Sequence, residues 1–174
     1  EGPHNVGLFF LPLALLAADR AARRRRYADI WLAAAAMAAV ALSSWLAALA
    51  LAVCCLLLML AMRGDGFSSR HVFASAVLAY GLACFWLTPT FVRTTLLNWP
   101  VDSLDYRFRI EQVLLVGGAF AGVAALHAAF RRWLPGERWL QFFSLGAWFF
   151  GYAVAWKYGR GLEVLPEPHR YAPE

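Results

Sequence analysis

The sequence has few charged residues for its length. Of its 174 residues, 16% are charged and 61% are hydrophobic, whereas a typical soluble domain has about 25% charged and about 45–50% apolar residues. The charges fall in a few short clusters, and long uncharged stretches separate them. A soluble chain of this size needs a charged surface, so the pattern indicates a membrane protein.

Common catalytic signatures are missing from the sequence as well. The chain contains no Walker loop and no GxGxxG, HExxH, CxxC or GxSxG pattern. These motifs therefore assign no enzymatic activity to the chain. Its net charge of +5 is concentrated beside apolar stretches and not on an interleaved basic and aromatic face. Such a placement is typical of basic residues that orient a protein in the membrane or contact anionic lipids, and it makes nucleic-acid binding the less favoured interpretation.

The start of the sequence lacks the features of a signal peptide. No basic segment precedes the first apolar run, and no small-residue cleavage site follows it. We therefore expect residues 1–174 to form a single transmembrane domain that is an internal or C-terminal part of a longer chain.

Five apolar stretches follow one another, and the second is long enough for two helices. Its 32 residues would make a helix about 48 Å long, whereas the hydrocarbon core of a bilayer is about 30 Å thick. The stretches are Val6–Ala18, Trp31–Met62, His71–Leu87, Ile110–Phe130 and Trp139–Trp156.

The sequence Ser43-Ser44-Trp45 lies near the middle of the long stretch. Serine competes with helical hydrogen bonding and tryptophan favours the membrane interface. We predict two short helices, Tyr27–Leu42 and Trp45–Met62, joined by a tight turn; one long tilted helix is the alternative. The predicted fold is thus all-α, a polytopic transmembrane helix bundle with about six membrane segments, two of which form a short hairpin.

Basic residues predict the orientation of this bundle. With the hairpin, ten Arg residues fall on one side and the remaining six Arg and Lys residues on the other; with one long helix the division is eleven to five. The positive-inside rule makes the richer side cytoplasmic. Both models place the cluster Arg23–Arg26 in the cytoplasm, and we expect a multi-pass protein of the inner (plasma) membrane.

Two features of the stretch Ile110–Phe130 predict helix packing. The spacing Gly118-x-x-x-Gly122 lets helices approach closely, either within the chain or with other membrane subunits. His127 is a lone histidine in an apolar span, and we expect it to pair with another helix.

Two polar segments at span ends are the candidate functional residues. The first runs from Thr88 to Asp102, and the second is Pro166–Tyr171. Arginine can bind phosphate or carboxylate in a bidentate manner, and Glu and His can move protons or bind a cation. The competing interpretation is a pair of stiff, solvated loops. The candidate substrate-binding residues are Arg93, Asp102, Glu167, His169, Arg170 and Tyr171.

Several short motifs resemble one group of bacterial multi-pass proteins. The group is the 6-pyruvoyl-tetrahydropterin-synthase-related membrane proteins, which are similar to GT-C glycosyltransferases, and the resemblance covers most of the chain. Its motifs are His4-Asn5-Val6-Gly7-Leu8 leading into Pro12-Leu13-Ala14-Leu15-Leu16, Ser43-Ser44-Trp45-Leu46, Ala83-Cys84-Phe85-Trp86-Leu87-Thr88-Pro89-Thr90 and Leu165-Pro166-Glu167-Pro168-His169-Arg170-Tyr171.

The resemblance implies an active site at the outer face, where a sugar passes from a polyprenyl-phosphate donor to an acceptor. The group's catalytic Asp or Glu lies in an early outer loop that this sequence does not contain, so the catalytic residue stays unassigned. By resemblance, Arg93 and Arg170 would bind lipid phosphate. Glu167 and His169 would orient the acceptor or a divalent cation, the one cofactor implied.

Two other functions compete with the glycosyltransferase. A non-catalytic scaffold subunit of a larger membrane complex would pack through the small-residue face and the aromatic residues at the span ends. A transporter ranks last, because it should place ionisable groups in mid-span and only His127 does so.

Overall fold

The computed structural model describes the backbone of residues 2–64, 66–90, 93 and 110–160. These residues form six helices and no strand, so the all-α prediction is confirmed. Two compact units, residues 1–89 and 90–174, make up the chain. The helices are α1 (Gly2–Arg24), α2 (Tyr27–Ser43), α3 (Trp45–Ala61), α4 (Ser69–Ala83), α5 (Ile110–Trp133) and α6 (Arg138–Arg160).

The long apolar stretch folds as two helices, as predicted. Ser44 is the single non-helical residue between α2 and α3, and its extended backbone (φ −164°, ψ 131°) ends one helix and begins the next. Its hydroxyl accepts a hydrogen bond from the Ala47 N–H at 3.4 Å, which satisfies a donor that the first turn of a helix leaves unpaired. The alternative of one long helix is wrong.

Contacts at both ends of α1 fix the directions of α2 and α3. Gly7, near the start of α1, lies against Ala47 at the start of α3. Near the end of α1, the Arg23 guanidinium lies 3.4 Å from the Met62 sulfur at the end of α3. Helices α1 and α3 therefore run in the same direction, α2 runs back between them, and α2 with α3 forms the predicted hairpin.

Helix α4 runs beside α2 in the same direction. The Ser68 N–H donates to the Ala22 carbonyl at 3.1 Å, and the Ser75 hydroxyl lies 3.3 Å from the Ile30 carbonyl. The apolar run to Leu87 is longer than the helix, which ends at Ala83 and continues in turns. Thr88 is not helical, as expected for a residue that precedes proline.

Small side chains fill the core of unit 1. Alanines of α1 and α2 are fully buried where these two helices meet, and the two backbones approach closely as a result. The larger buried side chains come mainly from the other helices. The core includes Ala14, Ala18, Ala21, Ala22, Ala33, Ala34, Val40, Leu58, Met62 and Val72.

Unit 2 pairs α5 with α6 around the predicted small-residue face. A Cβ atom at Gly122 would overlap the Trp148 indole, and one at Gly118 would lie 2.7 Å from the Tyr152 hydroxyl. The Trp148 indole N–H donates to the Ala119 carbonyl at 3.2 Å. The two glycines are therefore used for close packing within the chain.

One described helical segment is long and apolar enough to cross a membrane. It covers Val113–Trp133, with a mean hydropathy of 2.0 and only 17% of its most apolar part buried. Helices α2 and α3 are apolar but have 17 residues each. Length and composition thus mark α5 as a candidate membrane span.

Candidate functional site

The predicted substrate-binding residues lie almost wholly outside the described part of the chain. Arg93 is helical and exposed to solvent. The other five predicted residues are outside the described residues, and the site they would form with Arg93 stays a prediction. These five are Asp102, Glu167, His169, Arg170 and Tyr171.

Unit 1 has a strongly basic end. The turn after α1, the end of α3 and the start of α4 meet there, as the contacts of Arg23 with Met62 and of Ser68 with Ala22 show. All seven arginines of unit 1 lie in these turns or in the adjoining ends of α1 and α4. They are Arg20, Arg23, Arg24, Arg25, Arg26, Arg63 and Arg70.

An ion pair between a half-exposed arginine and a buried carboxylate lies at the basic end. The Asp29 carboxylate, in the first turn of α2, is 4% exposed, and its Oδ1 accepts from Arg20 Nε at 2.6 Å. A carboxylate in the first turn of a helix also interacts favourably with the helix dipole. Because α1 supplies the arginine and α2 the aspartate, this pair fixes the α1–α2 turn.

Two further arginines have contacts within unit 1. Arg23 Nε lies 2.9 Å from Asp19 Oδ1, one helical turn away, and an exposed pair of this kind contributes only about 0–1 kcal/mol. Arg25 has a left-handed backbone (φ 56°), and its guanidinium donates to the Gly66 carbonyl at 2.9 Å. The Arg25 contact ties the α1–α2 turn to the α3–α4 turn.

Four arginines at the basic end make no ion pair with a described residue. All four are exposed, and the surface they form carries an excess of positive charge that suits an anionic ligand or surface. They are Arg24, Arg26, Arg63 and Arg70.

A cavity of about 370 Å³ lies among α2, α3 and α4. Its lining has no charged side chain; Tyr80 supplies a hydroxyl and Cys55 a thiol. The exposed side chains of Leu56 and Phe73 lie at its open side. Many lining residues are alanines, which leave space where larger residues would fill it: Ala41, Ala48, Ala52, Ala76, Ala79 and Ala83. The cavity can hold an apolar group, but it offers no set of groups for covalent chemistry.

Unit 2 holds a buried polar contact between α5 and α6, and the sequence predicted only one of its two residues. His127 was expected to pair with another helix, and its Nδ1 accepts from the amide Nε2 of Gln141 on α6 at 2.5 Å. Gln141 is 2% exposed. The pattern gave no indication of Gln141 as the partner, although a glutamine in an apolar segment needs a hydrogen-bond partner in any buried setting.

Within the described residues, no three His, Cys, Asp or Glu side chains lie close enough together to hold a metal ion. The residues that the resemblance relates to a divalent cation, Glu167 and His169, fall outside that part of the chain.

Comparison with known proteins gives no match to any family model, curated protein or solved structure.

Proposed function

We propose that this chain is the membrane-embedded part of a polytopic inner-membrane protein, with the basic end of unit 1 in the cytoplasm. The observation that carries the proposal is the charge asymmetry of unit 1. All of its arginines lie at one end, whereas residues 43–48 and 83–88 at the opposite end have no charge. The positive-inside rule assigns the basic end to the cytoplasm.

Helix lengths and exposed side chains support a membrane setting. At 17 residues each, α2 and α3 are about 26 Å long, which is near the lower limit for crossing a hydrocarbon core of about 30 Å. Large apolar side chains such as Phe9, Phe73 and Leu114 are more than 60% exposed, a favourable arrangement in contact with lipid.

Within this setting, we propose that the protein transfers a sugar from a polyprenyl-phosphate-linked donor at the outer face. The resemblance to GT-C-like membrane proteins supports the reaction class. Helix α4 ends away from the basic end, and the segment from Thr88 to Asp102 follows it in the chain. In this proposal, Arg93 and Arg170 bind lipid phosphate, because fixed cations stabilise the charge that develops on a leaving phosphate.

Orientation can be tested by thiol labelling. In a variant without Cys54, Cys55 and Cys84, we expect Asp65→Cys to react with an impermeant maleimide only in inside-out vesicles. Ser103→Cys, directly after the segment from Thr88 to Asp102, is the matched control and should react only in intact cells. Labelling of Asp65→Cys from the outside would refute the proposed orientation.

Catalysis is tested by sugar transfer in isolated membranes. We expect Arg170→Ala and Glu167→Gln to abolish transfer from a lipid-linked donor without lowering the protein level on an immunoblot. Arg24→Gln, at the basic end, is the control and should retain transfer. Full activity of both outer-segment variants would show that these residues are not part of the site.

One observation favours a non-catalytic scaffold subunit as the alternative. In unit 2, Trp139, Leu140 and Phe143 leave a broad apolar surface exposed on α6, which a second membrane subunit would cover. The scaffold predicts stable co-purification with a membrane partner in mild detergent, together with loss of that complex in Phe143→Ser. Retained sugar transfer by the isolated chain would exclude the scaffold as the complete function.

A further inference from the structure

The cavity in unit 1 is a long apolar groove. It follows α4 from Phe73 to Ala83, reaches Leu87 in the turns after that helix, and is bounded on the other side by α3, from Ala48 to Met59. Ala48 and Met59 are separated by a helical rise of about 17 Å, which exceeds half of a hydrocarbon core about 30 Å thick. The groove is therefore long enough for an acyl chain of one membrane leaflet.

The size of the groove distinguishes a lipid chain from a protein helix. An α-helix with its side chains has a diameter of about 10 Å, so 17 Å of helix occupies roughly 1,300 Å³. The cavity measures about 370 Å³, which is in the range of small-molecule sites. A single hydrocarbon chain fits this space, whereas a helix does not.

Two exposed arginines flank one end of the groove. Arg63 lies in the turn after α3, four residues beyond the lining residue Met59, and Arg70 lies one turn before the lining residue Phe73 on α4. Residues three apart occupy the same face of a helix, so Arg70 shares the face of Phe73. Both arginines are exposed and make no ion pair with a described residue; Asp65, which lies between them in the sequence, is outside that part of the structure.

We propose that the α3–α4 groove binds an anionic glycerophospholipid of the cytoplasmic leaflet. One acyl chain lies along the groove, and Arg63 and Arg70 bind the phosphate headgroup. The two arginines supply the charge complementarity that an uncharged groove alone lacks. This inference rests on the proposed membrane orientation, but it concerns the basic end of unit 1 and a lipid that is not the sugar donor.

Photocrosslinking of the full chain in nanodiscs tests the proposal. The probe is phosphatidylglycerol with a diazirine in one acyl chain, compared with phosphatidylcholine carrying the same chain, and labelled peptides are mapped by mass spectrometry. We expect the phosphatidylglycerol label on α3 and α4 residues that line the groove. Unlabelled phosphatidylglycerol should compete about thirtyfold better than phosphatidylcholine, which corresponds to about 1 kcal/mol for each arginine.

Two pairs of variants separate the headgroup from the chain. Arg63→Gln with Arg70→Gln should reduce the thirtyfold preference to about one, while Arg132→Gln, in unit 2, should leave it unchanged. Ala76→Phe fills the groove from an exposed lining position and should remove groove labelling by both lipids. Val77→Phe, exposed on α4 but not a lining residue, is its control. Competition between the two lipids is also measured in the unaltered chain. That result does not depend on whether the variants fold.

Several results would overturn the lipid site. These are equal competition by the two lipids, labels spread evenly over all helices, dominant crosslinks to a second copy of the chain, and stronger competition by polyprenyl phosphate than by phosphatidylglycerol. Release of the chain from membranes by alkaline carbonate would overturn the membrane proposal as well. Groove labelling together with reversed thiol orientation would refute only the leaflet assignment.

Discussion

Gly122→Ala should destabilise unit 2, although alanine is the better helix former. A Cβ atom at this position would overlap the Trp148 indole, and Trp148 also donates to the Ala119 carbonyl. Overpacking costs about 1–3 kcal/mol, and a lost hydrogen bond costs about 0.5–1.5 kcal/mol. The higher helix propensity of alanine offsets only about 0.5–1 kcal/mol of this loss. Since Trp148 is 39% exposed and can move outward, we expect a net loss of about 1–2 kcal/mol.

Gly117→Ala is the matched control on the same helix. A Cβ atom there meets no atom within 4 Å, so the propensity gain stands alone and we expect stabilisation of about 0.5–1 kcal/mol. The free energy of unfolding is measured in mild detergent by titration with sodium dodecyl sulfate, with tryptophan fluorescence as the signal. Trp148→Ala should abolish the penalty at position 122. The same change in stability for both alanine variants would refute the packing of α5 on α6.

Two further predictions concern unit 1. Gly7→Ala should lower the midpoint of thermal unfolding, because its Cβ atom would lie 2.7 Å from the Ala47 Cβ. The control Gly81→Ala has open space around it and should not lower the midpoint. Equal effects of the two variants would contradict the α1–α3 contact. Arg20→Gln should destabilise by about 1–3 kcal/mol, since it leaves the buried Asp29 carboxylate unpaired. Adding Asp29→Asn should restore part of the loss in a double-mutant cycle, and strictly additive effects would show that the two side chains do not interact.

Local sequence signals predicted the helices of unit 1 because their causes are local. The length of the apolar stretch and the Ser43-Ser44-Trp45 pattern predicted the break, and the bounds of α2 and α3 differ from the prediction by one residue each. The first helix was predicted as an apolar span ending at Ala18, but α1 continues to Arg24. The charged residues extend the helix beyond the apolar run, where Asp19 and Arg23 pair one turn apart.

Tertiary contacts explain what the sequence could not predict. Gln141 becomes the partner of His127 only when α5 and α6 pack together, and no local pattern identifies a contact between residues 14 positions apart. Asp29 stands in a charged segment, yet it is nearly buried because Arg20 reaches it across the α1–α2 turn. Hydropathy alone does not distinguish an exposed carboxylate from a buried, paired one.

The separate attachments of α3 and α4 account for the groove between them. Helix α3 is held against α1 by the close approach of Gly7 and by the Arg23–Met62 contact. Helix α4 is held against α2, where Ser75 lies within reach of the Ile30 carbonyl. Neither attachment draws α3 and α4 together, and alanines on both helices leave the space unfilled. In water, such an apolar gap would favour collapse of the two helices onto each other. In a bilayer a lipid chain fills the gap, and no hydrophobic driving force pushes the helices together.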